Sequence, residues 1–301
     1  MKAASRKPLK PSAFSIDDVL IKETPVEPIF TPENKIIYVK REDLSCPPPG
    51  PQFSKIRGVY PHILARPRAK TIGVLDTFHS KGGWAVAMCS YLLKKKCIVY
   101  YPHYTGDVAL RESQYEAKKF GALCVPLPAG RSAVLYHTAK KLLAQKYGRL
   151  KFMEDDESIY MMPNGLKLPE SVEGTALEVM STPEARTCDS VVVSISTATL
   201  AAGVLRGLAR LRNVLPNIFF HFGYTRSLPA TMRYVKNMSG YEGREWHKFK
   251  WIDEGYAYKD RVTYLVHFPC NPYYDLKAYK WMMTNLNTIP GERILFWNIG
   301  A

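Results

Sequence analysis

Acidic residues are scarce in this chain: 27 Asp and Glu stand against 42 Lys and Arg, a formal net charge of +15 over 301 residues. A surface that handles only small metabolites does not require that imbalance. It points to a polyanionic partner, nucleic acid first, with a merely soluble basic surface as the competing account. The excess is spread over short clusters (Arg66 to Lys70, Lys94 to Lys96, Arg206 to Arg212, Arg226 to Lys250) and no arm or tail carries it. Long apolar runs are also missing. No stretch reaches the roughly 18 residues of a membrane-spanning helix. The basic start, MKAASRKPLKPSAF, has no apolar segment behind it and does not read as a secretory signal. The six cysteines form no C-x-x-C pair, and no Cys/His cluster has zinc spacing, so neither a dithiol centre nor a metal site is expected. Lying mostly in apolar runs such as CIVYY and ALCVPL, they read as buried, reduced thiols of a cytoplasmic protein. Internal repeats and low-complexity linkers are absent as well.

What is present is an alternation of short β-rich and helical runs. After a Pro-rich tail at 1–35, IIYVKR (36–41) reads as a strand and SCPPPGPQFS (45–54) as a loop. Lys55 opens a helical pattern in which Ile56, Val59, Tyr60, Ile63 and Leu64 share a face, with Ser54 as N-cap and Pro67 as terminator. TIGVL (71–75), CIVYY (97–101) and ALCVPL (122–127) predict strands, separated by helices over 82–96, 110–120 and 133–146. A helix over 171–180 follows, then the strand DSVVVSI (189–195) and a helix over 200–211. NIFFHF (217–222), VTYLV (262–266) and RILFWN (293–298) predict further strands. The order is that of an α/β protein with parallel sheets in two lobes: a small one at 70–150, and a large one from 36–69 and 151–301.

Four local patterns suggest chemistry. YVKREDL (38–44), a Pro/Gly loop and FSKIRGV (53–59) place Lys55 at a loop-to-helix junction, rigid enough to hold a neutral, nucleophilic amine. DTFHSKGGWAVAMCSYLL (76–93) is a strand end turning into a helix, with Ser80 and Lys81 at the turn. MPNGLKLPESVEGTALEV (162–179) precedes the buried strand of DSVVVSISTATLAAGVLRGL (189–208), whose strand-to-helix loop carries Ser194, Ser196, Thr197 and Thr199. Hydroxyls and amides at such a helix start bind a phosphate dianion. FPCNPYYDLKAYKWM (268–282) holds Tyr274 and Asp275, and EGYAY (254–258) holds Tyr256.

In this order the patterns resemble the fold-type-II, tryptophan-synthase-β-like pyridoxal-phosphate (PLP) enzymes, in the branch containing 1-aminocyclopropane-1-carboxylate (ACC) deaminase and D-cysteine desulfhydrase. The resemblance covers the chain from about residue 36 onward. It implies two α/β lobes with the cofactor in the cleft, and a homodimer. Lys55 falls on the lysine that carries the cofactor, with Lys81 its rival. Ser80 falls on a serine of the substrate-carboxylate region, Tyr274 on the tyrosine standing over the cofactor, and Tyr256 on a second active-site tyrosine. Asp275 falls on the carboxylate that faces the pyridine nitrogen and strengthens the ring as an electron sink. The sequence departs from the family in having Ser54 where the family has Asn, and a phosphate loop of Ser and Thr where the family is rich in Gly, which restricts close backbone approach.

Joined to the charge excess, the resemblance extends to a phage-encoded branch that works in thymine hypermodification, where an amino acid attached to a DNA base is decarboxylated. Modified DNA is then the expected substrate and the host cytoplasm the expected place. Trp251 and Tyr258 are candidates to stack on a flipped base. A small-molecule deaminase or desulfhydrase, and a binding module that has lost its chemistry, are the competing readings.

Overall fold

The computed structural model describes residues 23–77, 79–104, 106, 110–149, 152–153 and 158–300. The chain runs through β1 (Val26–Phe30), β2 (Ile36–Arg41), α1 (Ile56–Leu64), β3 (Thr71–Leu75), α2 (Gly82–Leu92) and β4 (Lys96–His103). It continues with α3 (Glu112–Lys119), β5 (Leu123–Pro128), α4 (Ser132–Lys146), β6 (Ile159–Met161), α5 (Pro169–Ser181) and α6 (Glu184–Thr187). The last elements are β7 (Ser190–Ile195), α7 (Thr199–Leu211), β8 (Asn217–Phe222), α8 (Leu228–Ser239), β9 (Phe249–Ile252), α9 (Asp275–Thr284) and β10 (Arg293–Asn298).

Two compact units result. One comprises Pro49–Pro51 and Ile63–Leu166, the other residues 23–48, Gln52–His62 and 167–300. In the first, four parallel strands lie in the order β5-β4-β3-β6. Their core side chains, among them Leu75, Ile98, Tyr100 and Ile159, pack on Leu135, Ala139 and Leu143 of α4. The second unit holds a six-stranded sheet, β1-β2-β10-β7-β8-β9, parallel except for β1. One face, with Val191, Val193, Phe220 and Trp297, packs on Val204, Leu205 and Leu208 of α7. The other, with Ile37, Val192, Phe219 and Phe296, packs on Ala278, Tyr279 and Met282 of α9. Strands buried on both faces read as continuous apolar runs, which is why VVV and ILFW stood out in the sequence.

Several sequence expectations need correction. VTYLV (262–266) is not a strand: Val262 bonds to the Pro272 carbonyl outside any ladder and Leu265 is 94% exposed. The sheet edge is taken instead by β9, which the sequence reading did not single out. Ser54 does not cap α1. Its hydroxyl is buried without a partner, because the first amides turn back onto the main-chain carbonyls of Phe53, Ser54 and Lys55. The helix begun at Gly82 ends at Leu92, since Lys94 takes a left-handed φ of 55° and Lys96 already belongs to β4. Within the segment read as a tail, of which 1–22 lie outside the described residues, β1 pairs antiparallel with β2. Its Pro28 is tolerated because β1 is an edge strand.

Helices α1 and α7 are held by close packing on α5. A Cβ on Gly58 of α1 would lie 2.1 Å from the Ser171 backbone nitrogen of α5, so only glycine lets α1 seat there. Gly203 plays the same part between α7 and α5, where a Cβ would meet Thr175 Cβ at 2.5 Å.

Candidate active site

Lys55 immediately precedes α1 and is buried, 7% exposed. Its Nζ donates to Thr197 Oγ1 at 2.6 Å. Burial, together with the positive charges of Lys167 and Arg226, depresses its pKa to about 7. About half of such amines are neutral at pH 7, against roughly one in three thousand for a lysine of ordinary pKa. Both charges acting on Lys55 are positive, so the pocket suits a dianion. Lys81, in the other unit, also has a lowered pKa through burial, opposed by Glu112, and its ammonium stands 5.7 Å from the Trp84 ring centre.

The hydroxyl loop after β7 is continuous with Lys55. Thr197 and Thr199 hydroxyls lie 3.2 Å apart, and Thr199 lies 3.3 Å from the Tyr234 hydroxyl of α8. Ala198 between them adopts a left-handed φ of 65°, the conformation a glycine-rich loop would reach freely. Strain of this kind gathers at ligand sites. Thr199 opens α7, a 13-residue helix, so free amides and the positive helix end join the hydroxyls. Arg226 donates to the Ser196 carbonyl and fixes the loop from the β8 side.

Asp275 begins α9 and is 1% exposed. Burial raises its pKa well above the usual carboxylate range, against the Gly300 and Ile299 amides that favour the charged form, while the Asp43 charge raises it further. Gly300 N donates to Oδ2 at 3.1 Å. The Ser194 hydroxyl lies near enough to favour the charged form too, yet neither Ser194 Oγ nor Asp275 Oδ1 completes a hydrogen bond. Tyr274 precedes it, with its hydroxyl 3.3 Å from that of Tyr258. Burial, then Tyr258, keeps the Tyr274 phenol protonated far above neutrality, while Ser196 works the other way. Tyr224 completes an aromatic group, its ring centre 5.0 Å from Tyr258 and 6.4 Å from Tyr274.

The structure therefore ties Lys55 to Thr197 and Thr199, Tyr274 to Ser196, and Asp275 to Ser194, all within the second unit. The Tyr256 carbonyl accepts from Thr225 N at 2.8 Å in the loop after β8 that carries Tyr224 and Arg226, and its ring stands beside Glu254 with its centre 4.5 Å from the Lys277 ammonium. Ser80 belongs to the first unit, where its hydroxyl accepts from Gly82 N at 3.0 Å at the start of α2. Trp251 stacks on Phe220 at 4.5 Å and is a packing residue. Sequence reasoning missed Lys167, Arg226, Tyr224 and Tyr234. Gly223-Tyr224-Thr225-Arg226 directly after β8 was the available signal, since loops at strand C-termini line ligand sites in such sheets.

These residues fit PLP. Two cations, Lys167 and Arg226, and the α7 start suit a phosphate dianion, a neutralisable lysine suits an aldehyde, and an orphaned carboxyl oxygen beside an orphaned hydroxyl suits a pyridine nitrogen. The architecture is that of the fold-type-II enzymes. A solved ACC deaminase homologue superposes with a TM-score of 0.74 at 19% identity, over 94% of this chain and 90% of that one. An O-acetylserine dependent cystathionine β-synthase from Helicobacter pylori gives 0.64 at 17% identity, over 93% of each chain. The profile of the pyridoxal-phosphate dependent enzymes matches residues 18–221, and the chain belongs to that family. A glycyl-dTMP PLP-dependent decarboxylase of Pseudomonas phage M6 is 47% identical over 292 residues, 94% of this chain and the whole of that protein.

Replacing Thr197 and Thr199 together by Val removes two hydroxyls from the phosphate loop. Hydrogen bonds to a charged group contribute about 1.5–3 kcal/mol each. PLP affinity of the double variant is expected to fall roughly tenfold or more, measured by equilibrium titration. Unchanged affinity places the phosphate on other groups.

Proposed function

We propose that the chain is a decarboxylase acting on an amino-acid group, glycyl in the first instance, carried by a thymidylate. We further propose that the nucleotide is part of phage DNA in the host cytoplasm, and that the enzyme works as a homodimer. The observation that carries this reading is the 47% identity to the phage decarboxylase across that protein's full length. The charge of +15 supports a polymeric substrate, because a single nucleotide would not need it.

Bound PLP supplies an electron sink for the pair left on Cα when its bond to the carboxylate breaks. The chain's own residues do the rest. Lys55, half neutral near pH 7, offers a nucleophilic amine and a group that accepts or returns a proton. Loss of carbon dioxide leaves Cα short of one proton, and Lys55, half protonated near pH 7, can supply it, whereas burial makes the Tyr274 hydroxyl a hydrogen-bond donor that holds on to its proton. Thr197, Thr199 and the α7 amides anchor, and Tyr224, Tyr258 and Tyr274 wall the site with apolar surface.

The test is incubation with DNA containing glycyl-modified thymidine, and in parallel with the free nucleotide, followed by mass spectrometry of the nucleosides. Loss of the mass of carbon dioxide from the DNA is expected, with binding that falls with salt at a log–log slope of about −0.7 to −0.9 per phosphate contacted. Turnover of the free nucleotide alone removes the polymer from the proposal. Consumption of free D-cysteine or a cyclopropane amino acid, with modified DNA untouched, favours the small-molecule lyase.

A further inference from the structure

A row of polar side chains crosses the C-terminal edge of the six-stranded sheet. Ser194 of β7 is opposite His221 of β8, and Asn298 of β10 opposite Arg41 of β2. Trp297 is opposite Val193, so Asn298 and Ser194, one residue on, continue the same row. Two residues earlier in each strand stand Val192, Phe219, Phe296 and Val39, all packed in the core cluster that includes α9. Side chains two apart share a face, so the polar row lies on the α9 face, where Asp275 begins that helix.

Four atoms there are buried without a hydrogen-bond partner: Ser194 Oγ, His221 Nδ1, Asn298 Oδ1 and Asp275 Oδ1. Ser194 is 2% exposed, Asp275 1% and His221 0%. Buried polar groups are normally satisfied, so the concentration of such orphans in one row calls for a function. The other His221 nitrogen is accounted for: Nε2 lies 2.9 Å from Glu254 Oε2, whose side chain is 36% exposed. With its Nε2 proton donated to that carboxylate, His221 keeps Nδ1 as a buried acceptor without a partner, on the residue whose ladder partner is Ser194.

We propose that Ser194 and His221 form a proton relay serving buried Asp275, with the Glu254 carboxylate holding the imidazolium in place, and that this relay sets the charge Asp275 presents to the ring nitrogen. Partners on adjacent strands are about 4.8 Å apart, so a hydroxyl rotation or one bridging water closes the link. In one state Asp275 is a neutral acid and His221 a neutral imidazole. In the other the Asp275 proton has passed to the Ser194 oxygen as the Ser194 proton passes to His221 Nδ1. That leaves a carboxylate at Asp275 and an imidazolium against the Glu254 carboxylate. Two protons shift together, the net transfer is one proton from Asp275 to His221, and total charge is conserved. The groups facing Asp275 are Ser194 from β7, Asp43 after β2, the Ile299 and Gly300 amides after β10, and Cys270 before α9. Those facing Glu254 are His221, Tyr256 and Lys280. Hydrogen bonding from His221 is the foremost influence holding Glu254 below the usual carboxylate range, so Glu254 stays an anion against the imidazolium. His221 and Ser194 are positioning residues, acting through Asp275. The consequence for the ring nitrogen rests on the assignment of Asp275 as its partner, whereas the relay is a property of the chain alone.

The test is NMR titration of the full-length protein with 13C-carboxyl aspartate and 15N-histidine, without cofactor and without substrate. His221→Gln is expected to raise the Asp275 midpoint by at least one pH unit, a tenfold change in proton affinity. Glu254→Gln should shift it in the same direction by less. Asp275→Asn should lower the His221 midpoint, and Ser194→Ala should uncouple the two. The visible absorbance titration of the PLP-loaded variants should move with the Asp275 midpoint. An unmoved Asp275 midpoint in His221→Gln, with an unmoved His221 midpoint in Asp275→Asn, overturns the relay and leaves the row as packing. Should His221→Gln not fold, Glu254→Gln and Asp275→Asn decide the matter. Since no substrate is present, failure of the decarboxylase reading leaves this outcome untouched.

Discussion

Replacing Lys55 by alanine is expected to leave a folded protein whose turnover has fallen on the order of a thousandfold or more. The same variant should yield no pyridoxyl-lysine peptide at this position after borohydride reduction, whereas the unaltered protein should carry the label on Lys55. The reason is the desolvated amine. Burial beside Lys167 and Arg226 holds its pKa at about 7, and its Nζ already meets the Thr197 hydroxyl. Holding a charged lysine there costs the apo-protein a few kcal/mol. The unfolded chain keeps the proton up to about pH 10.5 and the folded chain releases it at about 7. Apo-protein stability should therefore rise with pH across that window. Lys55→Met should remove the slope and be the more stable protein at pH 6, by urea denaturation at both pH values. A label on Lys81 in place of Lys55, or full activity in Lys55→Ala, overturns the assignment.

Much of this site was legible because it lies at strand ends. The runs VVVS and ILFWN announce fully buried parallel strands, and in such sheets the chemistry sits just past the C-terminal residues. That placed Ser194, Ser196, Thr197 and Thr199 in one loop, and Lys55 at a junction rather than in a helix. Position along the chain could not show which groups meet. Arg226 and Lys167 reach Lys55 only because β8 and α5 fold beside it; the loop after β8 hinted at Arg226, but Lys167, one basic residue among 42, carries no local mark. His221 looked like one more alternating residue of a strand; only the ladder register sets it opposite Ser194. VTYLV misled because β-propensity reports fitness for a pleated surface and not the presence of a neighbouring strand. The Asp76 carboxyl was unmarked for a related reason. It gathers Ser113, Gln114 and the Gly83 amide from two different helices, and burial raises its pKa to about 6 despite those bonds.

Arg57→Ala should destabilise the protein by about 3–5 kcal/mol, the cost of stranding buried charges. Two residues beyond Lys55, the Arg57 guanidinium binds Glu42 through Nε at 3.0 Å and NH2 at 2.7 Å. Its NH1 lies 3.0 Å from Glu178 Oε2, and Glu178 Oε1 meets Lys40 Nζ at 2.6 Å. Thr24 donates its hydroxyl to Glu42 at 2.6 Å and its amide to Glu178 at 2.8 Å. Burial opposes the charge on Glu178, yet Arg57 and Lys40 hold its pKa below the usual range. Without Arg57, Glu178 keeps Lys40 while buried Glu42 is left with the Thr24 hydroxyl and no cation from this network. The network joins β2, α1 and α5, the elements that seat the Lys55 junction, so PLP affinity should fall along with the urea midpoint. Arg57→Lys keeps the charge but loses the planar fork and should recover only part of both. Arg57→Met separates two accounts of the network. If the cluster merely stabilises, a well-packed apolar replacement made together with Glu42→Leu recovers the midpoint and the cofactor affinity alike. If its geometry is what aims Lys55, the double variant regains stability while its PLP affinity stays low, because the guanidinium fixes the first turn of α1 in a way an apolar contact does not. Equal recovery of both quantities would reduce the network to a structural part of the fold.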